Sequence, residues 1–112
     1  MIAMHLQINE VAGNKVVAIE GRLDTTTYAD LEKTLTNLFD EGCHNMILDC
    51  SAMDYVSSSG LRVFLMILKK IKSVGGSLVL CGLQPAIYNV FEISGFLSIF
   101  SIRDSLDQAL NK

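Results

Sequence analysis

The sequence predicts an α/β fold: a single domain built on a mostly parallel mixed sheet of about five strands, with an N-terminal β-hairpin and about four helices. Three observations carry this reading. Segments with strand spacing alternate with longer segments whose apolar residues recur every three to four positions, the order that produces right-handed crossovers and a parallel sheet. In "NMILDC" three apolar residues, Met46, Ile47 and Leu48, follow one another, as suits a strand covered on both faces. Half of the 112 residues are apolar and only 19% are charged, a balance that favours one sizeable core over disorder.

The elements follow in order. Met4, Leu6 and Ile8 alternate with His5, Gln7 and Asn9, the period of a half-buried strand. A Gly13-Asn14 turn leads into "KVVAIEG", so the first two strands are expected to pair as an antiparallel hairpin. In "RLDTTTYADLEKTLTNLFDEG", Tyr28, Leu31, Leu35, Leu38 and Phe39 have helical spacing. Asp24 and the threonines are its cap candidates, and Gly42 stands just past its end. "NMILDC" is the third strand. A serine segment follows, then a helix that runs to Val74 and stops at Gly75-Gly76. "SLVLCG" is another buried strand. Pro85 opens a third helix where a missing N–H costs nothing; Ile87, Val90 and Phe91 form its apolar face and Gly95 closes it. "LSIFSI" is read as a last short strand, and a terminal helix carries Leu106, Ala109 and Leu110.

Charge and composition narrow the functional classes. Twelve acidic and nine basic residues give a net charge of −3 with no block of one sign, so no electrostatic footprint for nucleic acid or an anionic membrane is present. The densest apolar run, Leu61 to Leu68, is interrupted by Arg62 and ended by Lys69 and Lys70, too short to span a bilayer. No basic flank followed by an apolar run marks the N-terminus, and a cytoplasmic protein is expected. Cys43, Cys50 and Cys81 lack metal-ligand spacing, and two of them fall in strands, where a reduced cysteine acts as a small apolar residue. Neither a metal nor a cofactor is expected.

The segment "DYVSSSGLRVFL" raises the functional question. Loops that leave the C-terminal ends of parallel strands collect functional groups, and this serine cluster occupies one. One serine can cap the helix, worth about 1 kcal/mol, but one cap does not account for three serines. A nucleophile would need a base within reach; His5 lies in the first strand and His44 at the opposite end of the third. The G-x-S-x-G spacing is absent, and Gly60 stands alone without the glycine-rich run and lysine of a phosphate-binding loop. A phosphoserine, by contrast, is electrostatically favoured at a helix N-terminus and would change the surface a partner meets.

A helical wheel at about 100° per residue places Phe64, Ile67 and Ile71 at the centre of a core stripe flanked by Gly60, Val63, Leu68 and Val74. Arg62, Lys69 and Ser73 point the opposite way. Met66 and Leu65 fall about 40° and about 60° from the centre of that polar face, where they have no core role and suit an adaptable contact surface.

The stretch "MDYVSSSGLRVFLMILKKIKSVGGSLVLCGL" resembles the signature of the bacterial anti-sigma factor antagonists of the STAS domain family. "GRLD", "MILDCS" and "FEISGFLSIF" agree in order and spacing, so the likeness covers essentially the whole chain, 1–112, as one STAS-like domain. The resemblance implies a regulatory protein without catalysis of its own. In the family, the unphosphorylated antagonist binds an anti-sigma factor that is also a serine kinase and so frees a sigma factor. The kinase then uses ATP to phosphorylate the first serine of an Asp-Ser-Ser/Thr-Gly motif, and a serine phosphatase restores the cycle. Carried over, that serine is Ser58, followed by Ser59 and Gly60; this chain has Ser57 where the motif has Asp, which could move the site to Ser57 or Ser59. Asp24 matches an acidic position near the family's phosphorylation loop, with capping of the first helix as its other reading. Asp24, Ser57, Ser59, Gly60, Arg62, Leu65 and Met66 are then the candidate partner surface. The resemblance also implies a monomer when free. The alternative is a STAS scaffold subunit of a signalling or lipid-transport complex whose serines are never modified.

Overall fold

The structure, a computed structural model, describes residues 4–111. Its elements are β1 (Met4–Val11), β2 (Asn14–Leu23), α1 (Tyr28–Asp40), β3 (Asn45–Val56), α2 (Ser58–Ser73), β4 (Ser77–Cys81), α3 (Pro85–Ile93), β5 (Ser101–Arg103) and α4 (Leu106–Leu110), with a 3-10 turn at Phe96–Ser98. The five strands lie side by side in chain order; β1 is antiparallel to β2 and all other neighbours are parallel. Each parallel crossover therefore steps in the same direction, and a constant hand puts α1, α2 and α3 on one face of the sheet. The main core lies there: Leu31 and Leu35 from α1, Phe64, Ile67 and Ile71 from α2, and Ile87 and Phe91 from α3 pack on Met46 and Leu48 of β3. On the other face α4 sets Ala109 against Val16, Ile47, Val79 and Cys81. Consecutive apolar residues in β3 thus serve two different cores, as the triplet predicts. No helix among the described residues is long and apolar enough to cross a membrane.

Several local expectations are corrected. The hairpin turns at Ala12-Gly13, and Asn14 is already the first residue of β2, paired with Val11. Both turn residues have positive φ, 52° and 82°, the geometry whose twist matches a two-residue hairpin. "LSIFSI" is not a continuous strand. Phe96–Ser98 coil into the 3-10 turn, and only Ser101–Arg103 pair with β4. Coiling brings Phe96 and Phe100 onto Phe91, with ring centroids 6.0 and 5.8 Å away, which an extended chain would separate. Val74 is the C-cap of α2 and is 48% exposed rather than part of the core stripe. In the edge strand β1, Met4 and Leu6 pack on the main core while Ile8 is exposed.

The third strand is also longer than "NMILDC", continuing through "SAMDYV" to Val56. Its pairing with β2 slips twice, between Ala18↔Asp49 and Glu20↔Ala52 and again between Gly21↔Met53 and Arg22↔Tyr55. Each slip spends one extra β3 residue, and these bulges re-aim the strand so that both Met53 and Val56 face the main core. The serine segment consequently has no loop before it: Ser57 is the single residue between β3 and α2.

Candidate functional site at the start of the second helix

The end of β2 pins the start of α2. The Ser57 N–H donates to the Leu23 carbonyl oxygen at 2.8 Å, and the Ser57 hydroxyl accepts from the Gly60 N–H at 3.2 Å as the N-cap. Gly60 allows this close approach, since a Cβ there would come within 2.6 Å of Leu23 Cγ and 3.1 Å of Val56 Cγ2. The three serines therefore differ. Ser57 is consumed by the cap and Ser59 is half-buried, whereas Ser58 is exposed at the first helical position. Among the described residues, no hydrogen bond involves the Ser58 hydroxyl.

Asp24 does not cap α1. The N-cap is Thr27, which has no side-chain cap bond because its hydroxyl accepts from the Asp24 N–H (2.9 Å) and donates to the Arg22 carbonyl (2.8 Å). Asp24 Oδ1 instead accepts from the Thr26 hydroxyl at 2.7 Å and the Thr26 N–H at 2.9 Å. Those two bonds, the hydroxyl first, hold the carboxyl below its ordinary 3.8. Arg22 leans over this turn, its Nε 3.4 Å from Asp24 Oδ2 and its guanidinium 4.1 Å from the Tyr55 ring centre. Thr27, one of the threonines expected to cap α1, does occupy the N-cap position, whereas Arg22 and Tyr55 are not among the candidate residues of the sequence. Arg22 and Asp24 share the "GRLD" motif, but only the pairing of Arg22 with Tyr55 across bulged strands reveals the cluster.

Farther along α2, Ser59, Arg62, Val63 and Met66 meet Tyr28 and Glu32 of α1 in a groove of about 240 Å³. Arg62, Leu65, Met66, Lys69 and Lys70 continue as a shallower, mostly apolar surface. The structure thus joins Ser59, Arg62, Leu65 and Met66 in one continuous face, with Ser58 at its upper end and Asp24 on the adjacent turn. Met66 is half-buried and packs on the edge of the main core, a role the helical wheel does not show. Helical spacing alone places Tyr28 on α1 and says nothing of Glu32, because their part in the groove depends on how α1 lies against α2. All four charged residues of α2 (Arg62, Lys69, Lys70 and Lys72) are basic, in a chain of net charge −3.

The histidines lie elsewhere. His44 precedes β3, at the end of that 12-residue strand opposite the serines, with its ring 4.8 Å from that of Phe39. His5 alternates with Met4 and Leu6, which pack on the main core, so it points to the face away from α2. Burial raises the thiols of Cys50 and Cys81, the latter to about 12, which keeps both protonated and unreactive.

A sequence profile of the STAS domain matches residues 5–109, and the chain belongs to the STAS domain family. Over 106 residues it is 40% identical to BtrV of Bordetella bronchiseptica, provisionally named an anti-sigma factor antagonist; the match spans 95% of this chain and 91% of that protein. The crystal structure of an anti-sigma factor antagonist from Mycobacterium paratuberculosis superposes with a TM-score of 0.89 at 22% identity, covering 96% of this chain and 92% of that one. SpoIIAA, an anti-sigma factor antagonist, has the same fold in its unphosphorylated form, at TM-score 0.74 and 18% identity over 94% of this chain and 93% of that one. The phosphorylated form, from Bacillus, gives 0.76 at 19% identity over 96% and 97%.

Proposed function

We propose that this protein is an anti-sigma factor antagonist that works by switching partners. Unphosphorylated, it docks the first turns of α2 and the α1–α2 groove on an anti-sigma factor that is also a serine kinase, and a sigma factor is released. Transfer of the γ-phosphoryl group of ATP to Ser58 Oγ forms a phosphate ester, releases ADP and the hydroxyl proton, and ends the complex. A serine phosphatase hydrolyses the ester and resets the protein. The cycle belongs in the cytoplasm, where ATP and the transcription machinery are.

The observation that carries this reading is the division of labour among the serines: one holds the helix, and its neighbour stands exposed with an uncommitted hydroxyl. A phosphate at the first position of α2 is compatible with the helix dipole, so it can alter the surface without unfolding the domain. It would desolvate poorly against the apolar stretch of Leu65 and Met66 and repel an acidic partner, costing several kcal/mol at a close interface. The occurrence of SpoIIAA in phosphorylated and unphosphorylated forms is consistent with such a cycle.

Paired baits test it. Ser58→Ala and Ser58→Asp are used to recover binding proteins from native lysate, which mass spectrometry then identifies. A kinase-type ATPase held by Ser58→Ala and lost by Ser58→Asp is the expected result. Identical proteins on both baits would instead favour an unmodified scaffold in a signalling or lipid-transport complex.

A further inference from the structure

Arg62 has unused capacity at this site. It follows Ser58 by four positions on α2, and residues so spaced lie about 5–6 Å apart at Cβ. At about 100° per residue, Ser58, Arg62, Leu65 and Lys69 share an arc of roughly 60°. Both Ser58 and Arg62 are exposed. Among the described residues the ion pairs are Lys15–Glu10 and Arg22–Asp24, so the Arg62 guanidinium is uncommitted, even though Glu32 of α1 lines the same groove. Arg22, the other arginine at this end of the sheet, is already held by Asp24 and Tyr55.

We propose that Arg62 is the internal receptor for a phosphate on Ser58. The guanidinium fork donates two N–H groups to two phosphate oxygens, a geometry that lysine cannot match. The acid precedes the base by four residues, the favourable order on a helix. Resting on the partner-switch reading, this adds a second arm to it: phosphorylation both introduces negative charge and withdraws from the groove the arginine that an acidic partner would meet. Lys69 is two further turns along, Lys70 projects to another side of the helix, and Lys72 lies almost three turns beyond Arg62, so Arg62 is the basic residue of α2 placed to respond.

The test needs neither kinase nor partner. Phosphoserine is installed at position 58 by genetic encoding, and its second ionisation is followed by phosphorus NMR at low salt. The parent should ionise about 0.2–0.4 pH unit below Arg62→Gln. Lys72→Gln, which removes the same charge about 21 Å along the helix axis from Ser58, should stay close to the parent. Raising salt to about 0.5 M should collapse the difference. Equal ionisation in Arg62→Gln and Lys72→Gln would overturn the proposal. Because the phosphate is introduced without a kinase, this result is independent of the paired baits, and either idea can fail alone.

Discussion

The two ends of α2 solve the same packing problem and leave different remainders. Near each end a glycine allows a close approach: Gly60, within α2, against Leu23 and Val56, and Gly76, in the link from α2 to β4, against the backbone of His44. At the C-terminal end both serine hydroxyls are used. The Ser73 hydroxyl donates to the Lys70 carbonyl, Gly76 N–H to that of Ile71, Ser77 N–H to that of His44, and the Ser77 hydroxyl to Asn45 Oδ1. At the N-terminal end Ser57 suffices for the cap, and Ser58 and Arg62 remain uncommitted. Serine count is therefore a poor guide to function; what matters is which polar groups the fold has left free.

The largest effect should come from adding a methyl group at each end. Gly76→Ala would drive a Cβ into the His44 carbonyl oxygen, which also accepts the Ser77 N–H, and should cost about 3 kcal/mol or more in urea denaturation. Gly60→Ala meets a side chain rather than backbone and should cost about 1–3 kcal/mol. Combined with Leu23→Ala it should cost less than the two single losses together, as expected for residues in contact. Equal and additive losses would show that the two ends are equally rigid.

Next come the serines themselves. Ser57→Ala should lose about 1 kcal/mol through the missing cap, whereas Ser58→Ala should stay within about 0.5 kcal/mol of the parent. Thermal melts of the two variants decide this; similar losses would mean that the Ser58 hydroxyl is structurally committed after all. At the structural end, Ala12 holds φ at 52° beside the groove where Gly13, Gly42 and His44 meet. Ala12→Asn should raise stability by roughly 0.5–1 kcal/mol, measured as a higher urea midpoint with unchanged slope.

The smallest effect concerns acid. The Asp24 carboxyl is lowered below its ordinary 3.8 in the folded protein, so its contribution is complete above that value and is lost as pH falls through the lower folded value. Between about pH 5 and about pH 3 the parent should therefore lose more stability than Asp24→Asn. Parallel loss in both proteins would remove Asp24 from the account of this turn.

Much of this was legible in the chain. Leu31, Leu35 and Leu38 announce α1 at their spacing, and Phe64, Ile67 and Ile71 announce α2 and the face it buries. The resemblance of "SSSG" and its surroundings to a known signature pointed to Ser58. The extension of β3 was not legible, because the two bulges destroy the period-2 pattern between Ser51 and Val56. The coil at Phe96–Ser98 was missed because its aromatic residues read equally well as a strand until Phe91 is known to sit between them. Tyr28 and Glu32 joined the site only through the contact of α1 with α2, some thirty residues away in sequence.

The order of elements, the strand that serves two cores and the presence of a cap at α2 follow from the local chain, because periodicity and capping act over a few neighbouring residues. Long-range packing settles which serine is spent on that cap, where Asp24 is bonded, and that Arg62 has no ion-pair partner among the described residues. Those outcomes depend on the Leu23 carbonyl, the Thr26 and Thr27 hydroxyls and the path of α1, groups that reach the site through strand pairing and helix packing rather than through the local chain.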